Sequence, residues 1–205
     1  MKKVFLITLV FLFSLSISSV AHAEKRWHFN FGLIPAGMMI SPDAEDFKAR
    51  IGSAGGSTEE SLEGNALYTP GAFIGLDFDT YRSGIGFDIF GNYVWSDAAT
   101  GSVGGLNLSY IFPHNENGVF SARIKAGIIG GSLDWEGDHT TVEFDNATGW
   151  QSGLGFDIGK KVRFYAELLY RSLEFDVDRE KSDTVNKSTL DLSGAVINLG
   201  IKFSF

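Results

Sequence analysis

The end of the chain alternates without a fault. Ala195, Ile197, Leu199, Ile201, Phe203 and Phe205 fall on one face, and Val196, Asn198, Gly200, Lys202 and Ser204 fall on the other. A period of two marks a half-buried strand. The pattern recurs in residues 27–33, 72–78, 85–93, 106–112, 120–128, 150–158 and 162–170, which makes eight such segments. One face of each is apolar and aromatic-rich, with no Asp, Glu, Lys or Arg. The other face carries Gly, Asn and Ser with charges of both signs. The connections alternate too. Residues 79–83, 113–118 and 159–161 are tight turns, whereas 33–70, 96–103, 133–146 and 176–193 are longer.

Eight antiparallel strands with short turns at one rim and long loops at the other predict an all-β barrel. Which face points outward follows from size. An eight-stranded barrel is only just wide enough inside for its own side chains. It could not hold so many aromatic rings, so the apolar face turns outward and the mixed polar face fills the lumen. One Arg or Lys on a lipid-facing surface costs about 2–4 kcal/mol at the midplane, so a charge-free outer face is what hydrocarbon demands. Phe78, Tyr110, Phe112, Phe120, Phe156, Phe164, Phe203 and Phe205 lie at strand ends beside the short turns or the C-terminus. Tyr93, Trp150 and Tyr170 lie beside the long loops. Two aromatic girdles are expected of a transmembrane barrel with periplasmic turns and extracellular loops.

The N-terminus agrees with export. Lys2 and Lys3 precede a short apolar core, and Ala21-His22-Ala23 gives a small-x-small exit. This is the pattern of a cleaved signal peptide, residues 1–23, followed by a single barrel domain, residues 24–205. The chain has no Cys, which excludes disulfides and thiolate metal sites. Its formal net charge is −8, and both leader lysines would leave on cleavage. An acidic balance argues against nucleic-acid and other polyanionic partners.

Carried by residues 27–33 at the start and 195–205 at the end, the whole mature chain resembles the small outer-membrane barrels. These are the OmpA transmembrane domain, OmpX/Ail and opacity-protein type. The resemblance implies a Gram-negative outer-membrane location, with lipid and lipopolysaccharide as surroundings. It also implies that the terminal segment closing on Phe203 and Phe205 is the assembly signal, read by the barrel assembly machinery after delivery by periplasmic chaperones. A monomer is expected. The architecture hosts adhesins, small channels, lipid A enzymes and anchors alike, so it does not name an activity.

The lumen carries the first candidate chemistry. Asp77, Asp88, Asp157 and Glu167 share it with Arg123, Lys125, Arg163 and Lys202. Buried charges must pair. A salt-bridged plug is the expectation, and a gate that passes ions is the alternative. Phe73, Phe90, Tyr165 and Leu169 would narrow the passage further. In the first long loop, Ser41 and Pro42 followed by acids and ending at Gly52 predict a short helix. Its Phe47 and Ile51 could form a lid over the barrel mouth. The loop with Asp134, Glu136, Asp138, Glu143 and Asp145 is acidic, but it lacks a spaced calcium-binding motif. His28, His114 and His139 have no nucleophile context beside them, so no catalytic residue, cofactor or metal is assigned. The sequence therefore predicts a structural or surface-interaction, adhesin-like protein with a plugged polar lumen and an extracellular ligand as a possible partner. A low-conductance channel for small solutes is the alternative, and a lipid A-modifying enzyme stands behind both.

Overall fold

The structure is a computed structural model. It describes residues 26–41, 48–53, 56–61, 66–79, 83–96, 99–113, 119–136, 141–178 and 188–205. The signal peptide expected at residues 1–23 lies outside the described residues.

Eight long strands form the wall. They are β1 (Arg26–Ile40), β5 (Gly71–Asp79), β6 (Gly84–Trp95), β7 (Ala99–Ile111), β8 (Phe120–Glu136), β10 (Ala147–Gly159), β11 (Val162–Ser172) and β14 (Gly194–Ser204). Each pairs antiparallel with the next, from β1 through β5, β6, β7, β8, β10 and β11 to β14. Pairing of β14 back onto β1 closes the ring. Closure removes the unpaired strand edges that an open sheet would expose. At the seam, Phe29 and Phe205 exchange backbone hydrogen bonds of 3.2 and 2.9 Å.

Among the described residues, six short strands lie in the connections at one end. β4 (Ala66–Tyr68) bridges β1 and β6, and β9 (Thr141–Glu143) extends β8. β12 (Glu174–Asp176) pairs with β13 (Thr189–Asp191), and β2 (Lys48–Ser53) pairs with β3 (Gly56–Ser61). We call this the loop end, and the opposite rim the turn end.

The eight strands and their faces match the sequence pattern, but two expectations need correction. Strands run well past the girdle into segments read as loop. β1 continues to Ile40, β8 to Glu136, and β7 begins at Ala99. In β1 the alternation is interrupted by a bulge between Leu33 and Ala36, at Ile34 and Pro35. Proline has no N–H to give a ladder, so it suits a bulge and hides the strand from a period-two reading. The second correction is the helix expected from Ser41 to Gly52. Its C-terminal half is β2, in register with β3, so that Arg50 lies opposite Glu59 and Ile51 opposite Thr58. Ile51 and Thr58 are β-branched, which suits a strand. Ile51 is thus a strand residue, and Phe47 lies outside the described residues.

Two glycines do specific work. Gly159 closes the turn between β10 and β11 at φ 135°, a region that side chains disfavour. Gly32 faces inward where the Phe73 ring lies against the backbone, and any side chain there would collide with that ring.

Candidate functional site: the lumen

The lumen is the concave feature the barrel builds, and alternation decides what enters it. In the turn-end half the buried inward positions carry the charged and amide side chains, with Phe73, Tyr165 and Ile111 among them, while the outward positions are apolar and largely exposed. The exposed set includes Trp27, Phe87, Phe120, Ile128, Phe164 (75 %) and Phe205 (74 %). Phe203 is half-buried and stacks on Phe31 across the seam, with centroids 6.3 Å apart.

Two charge clusters occupy this half. In the first, Arg123 on β8 grips Asp77 on β5 through two 3.0 Å hydrogen bonds. Its Nη2 also donates to Asp157 on β10 at 2.9 Å. Lys202 on β14 donates to the same Asp157 oxygen at 2.5 Å and lies 3.8 Å from Asp77. Bidentate guanidinium–carboxylate pairing adds geometric specificity as well as energy. Arg163 sits at the edge of this cluster. It is 3.9 Å from Asp157, and its Nε donates to the Lys160 carbonyl at 2.8 Å.

The second cluster lies one layer further in. Lys125 on β8 bonds Asp88 on β6 at 2.8 Å and Glu167 on β11 at 2.5 Å. Its ammonium donates to the Tyr165 hydroxyl at 3.3 Å and stands 5.7 Å from the Phe73 ring centroid. Phe73 and Tyr165 pack on each other with centroids 5.0 Å apart. All eight predicted lumenal charges therefore face inward, seven in the buried clusters and Arg163 at their rim. A buried charge keeps its ionisation only when partners replace the lost water.

The sequence reading missed a third layer. Arg171 on β11 is 0 % exposed, stacks over the Phe90 ring at 5.9 Å, and donates to the Gln151 carbonyl at 3.1 and 3.3 Å. The amide of Gln151 donates to Asn107 at 2.8 Å, and that of Asn107 to Asp88 at 2.7 Å. Asn198 donates to Glu167 at 3.1 Å. The missing signal was small. The apolar alternation of residues 162–170 stops at Tyr170, and one more step puts Arg171 inward.

Above Arg171 the lumen changes character. Met39, Leu67, Val94, Val103, Ile129, Leu133, Trp135, Leu173, Phe175, Leu190, Leu192 and Val196 are buried and form one apolar cluster. Val142, Phe144 and Val177 join it, with the Phe144 and Phe175 rings 6.2 Å apart. The expected plugged polar lumen, with Phe73, Phe90, Tyr165 and Leu169 among its polar groups, describes the turn-end half, whereas the loop-end half is filled by apolar side chains. Asp134, Glu136 and Asp145 are exposed at that rim, while His114, Asp138 and His139 lie outside the described residues. Among the described residues no group of three or more His, Asp or Glu is placed to hold a metal ion.

No protein-family profile and no curated protein sequence matches the chain. Solved structures do resemble it. The outer membrane protein OprG from Pseudomonas aeruginosa superposes with TM-score 0.52 at 13 % identity, covering 89 % of this chain and 98 % of that one. Ail, the attachment invasion locus protein of Yersinia pestis, gives TM-score 0.47 at 12 % identity, over 90 % of this chain and 100 % of that one. Neisserial surface protein A gives 0.41 at 11 %, over 89 % and 99 %. The likeness to OprG bears out the fold, a closed, eight-stranded antiparallel barrel.

Proposed function

We propose that this chain is an outer-membrane barrel with a sealed lumen, acting as a structural or surface-interaction, adhesin-like protein at its loop end. The observation that carries the proposal is the double closure of the lumen. Charged layers fill the turn end, and a packed apolar cluster fills the loop end. Ions would have to cross both, and an eight-stranded barrel has no spare width. The low-conductance alternative draws on the charged layers alone, and the apolar layer above them weighs against it.

The membrane location is supported by a switch within single strands. Along β11 the outward residues run apolar from Val162 to Tyr170 and then become Ser172, Glu174 in β12 and Asp176. The apolar stretch is nine residues, within the ~9–11 that a tilted transmembrane strand needs. In this reading lipid and lipopolysaccharide surround the band. The barrel works as a monomer, and the β14 segment ending on Phe203 and Phe205 is what the assembly machinery and its chaperones recognise. The reading assigns the barrel no catalysis.

Planar-bilayer recording of the purified protein tests the seal. No discrete openings above background are expected, and reproducible single-channel steps would favour the channel instead. Deleting residues 43–63, which contain the β2–β3 hairpin, tests the surface role. Loss of cell or matrix binding with normal membrane levels supports it, and unchanged binding removes that loop from it.

A further inference from the structure

The third lumenal layer contains an unfinished hydrogen-bond circuit. Arg171 reaches Asp88 by one complete arm, through Gln151 and Asn107, every amide donating in the same direction. A second arm starts from Glu167, which accepts from the Asn198 amide nitrogen. That arm then stops. Asn198 Oδ1 and Arg171 Nη1 are both buried and both without a hydrogen-bond partner. No carboxylate contacts Arg171 among the described residues, and Lys125 alone stands between Asp88 and Glu167. The cluster around Lys125 therefore carries one excess negative charge and Arg171 the balancing positive one.

Arg171 and Asn198 line the same small cavity, together with Glu167, Gln151, Asn107, Phe90 and Tyr165. Its volume is about 10 Å³, close to the space one water needs. The chemistry of the two orphaned atoms limits the occupant further. Arg171 Nη1 can only donate, so the occupant must accept. Asn198 Oδ1 can only accept, so the occupant must also donate. The amide cannot be turned round to avoid this, because its nitrogen is needed by the acceptor-only Glu167 carboxylate. A halide satisfies the guanidinium but repels the carbonyl oxygen, and a metal cation does the reverse.

We propose that this cavity is a binding site for a single water molecule that accepts from Arg171 Nη1 and donates to Asn198 Oδ1. The circuit then runs from the guanidinium to both carboxylates. It ties β6, β7, β8, β10, β11 and β14 together at the level where the polar filling gives way to the apolar one. A buried polar atom left unsatisfied is costly, so a water that satisfies two at once is held firmly.

A crystal structure of the detergent-purified protein grown with bromide, at a resolution that shows waters, tests the site. One peak without anomalous signal is expected, within hydrogen-bond distance of both atoms. An anomalous peak would make it an anion site and overturn the proposal, as would direct contact between Arg171 and Asn198 or Glu167. In solution, the Arg171 guanidinium protons should show cross-relaxation with a long-lived water. Asn198→Leu should abolish that signal while the heat-dependent gel shift of the folded barrel persists. A signal unchanged in Asn198→Leu, or absent from the wild type, would equally overturn it.

Discussion

Strand β8 is amphipathic twice, in opposite senses. From Phe120 to Ile128 its apolar side chains point out and its polar ones, Ser121, Arg123 and Lys125, point in. From Ile129 to Trp135 the apolar side chains point in, and Ser132, Asp134 and Glu136 point out. Strand β11 and its continuation reverse in the same way, with Leu173, Phe175 and Val177 buried behind exposed Glu174 and Asp176. A backbone does not reverse its hydrophobic face without cause. In the proposed membrane setting the medium outside changes along the strand, from hydrocarbon to water, and the core follows it. The turn-end half holds its charge pairs inside a wall whose outer face is apolar. The loop-end half is built as a soluble β-protein is, by burial of apolar area.

The two halves should therefore respond differently to damage. The largest loss is expected from Asp157→Ala. Asp157 is 0 % exposed and serves Arg123 and Lys202 together. Breaking a buried pair by removing one partner costs about 3–5 kcal/mol. Urea unfolding in detergent or lipid should show it as a lower midpoint for the whole barrel. Phe175→Ala also removes a fully buried group and costs on the order of 3–5 kcal/mol. Its damage should be confined to the loop end. Amide exchange there should accelerate while β11 and β14 stay protected near the turn end.

A pair of charge insertions sharpens the contrast. Leu168→Arg places a cation on the outward face of β11 and should cost about 2–4 kcal/mol. Glu174→Arg, outward on the same run of chain but beyond the girdle, should change stability by no more than about 0.5 kcal/mol. Equal losses from the two would remove the boundary between them. The smallest effect is expected for conduction. Replacing Phe175 and Leu190 with Ser should wet the loop end yet leave planar-bilayer recordings silent, because the Arg123–Asp157 layer still closes the turn end. Discrete openings in that variant would mean that the apolar layer alone held the seal.

Much of the barrel was legible because a period of two is a local property. Each strand, its facing and the inward charges follow from counting residues. What was hidden lay where that count is disturbed or where its meaning changes. The bulge at Ile34 and Pro35 broke the alternation and made a long strand look like a loop. Leu173, Phe175 and Val177 keep perfect alternation, but with the apolar set on the inner face. A reading that tracks one apolar face ends its strand where that face turns polar, so Arg171 and everything above it dropped out. The helix expected from Ser41 to Gly52 rests on local signals, a cap, Pro42, first-turn acids and a shared apolar face, and pairing between β2 and β3 overrides them over residues 48–52. The Arg171 layer depends on which inward side chains meet across strands distant in sequence, such as Asn107 and Gln151. No local pattern carries that information.

The reversal of faces can be measured directly, because a chain without cysteine accepts single-cysteine spin labels one at a time. Labels would be placed at Phe164, Leu168, Tyr170, Ser172, Glu174 and Asp176, in protein reconstituted into lipid vesicles. At Phe164 and Leu168 oxygen should relax the label far more than a water-soluble nickel complex does. The ratio should cross over between Tyr170 and Glu174. Nickel-dominated relaxation at Leu168, or oxygen-dominated relaxation at Glu174 and Asp176, would contradict a membrane boundary at the girdle.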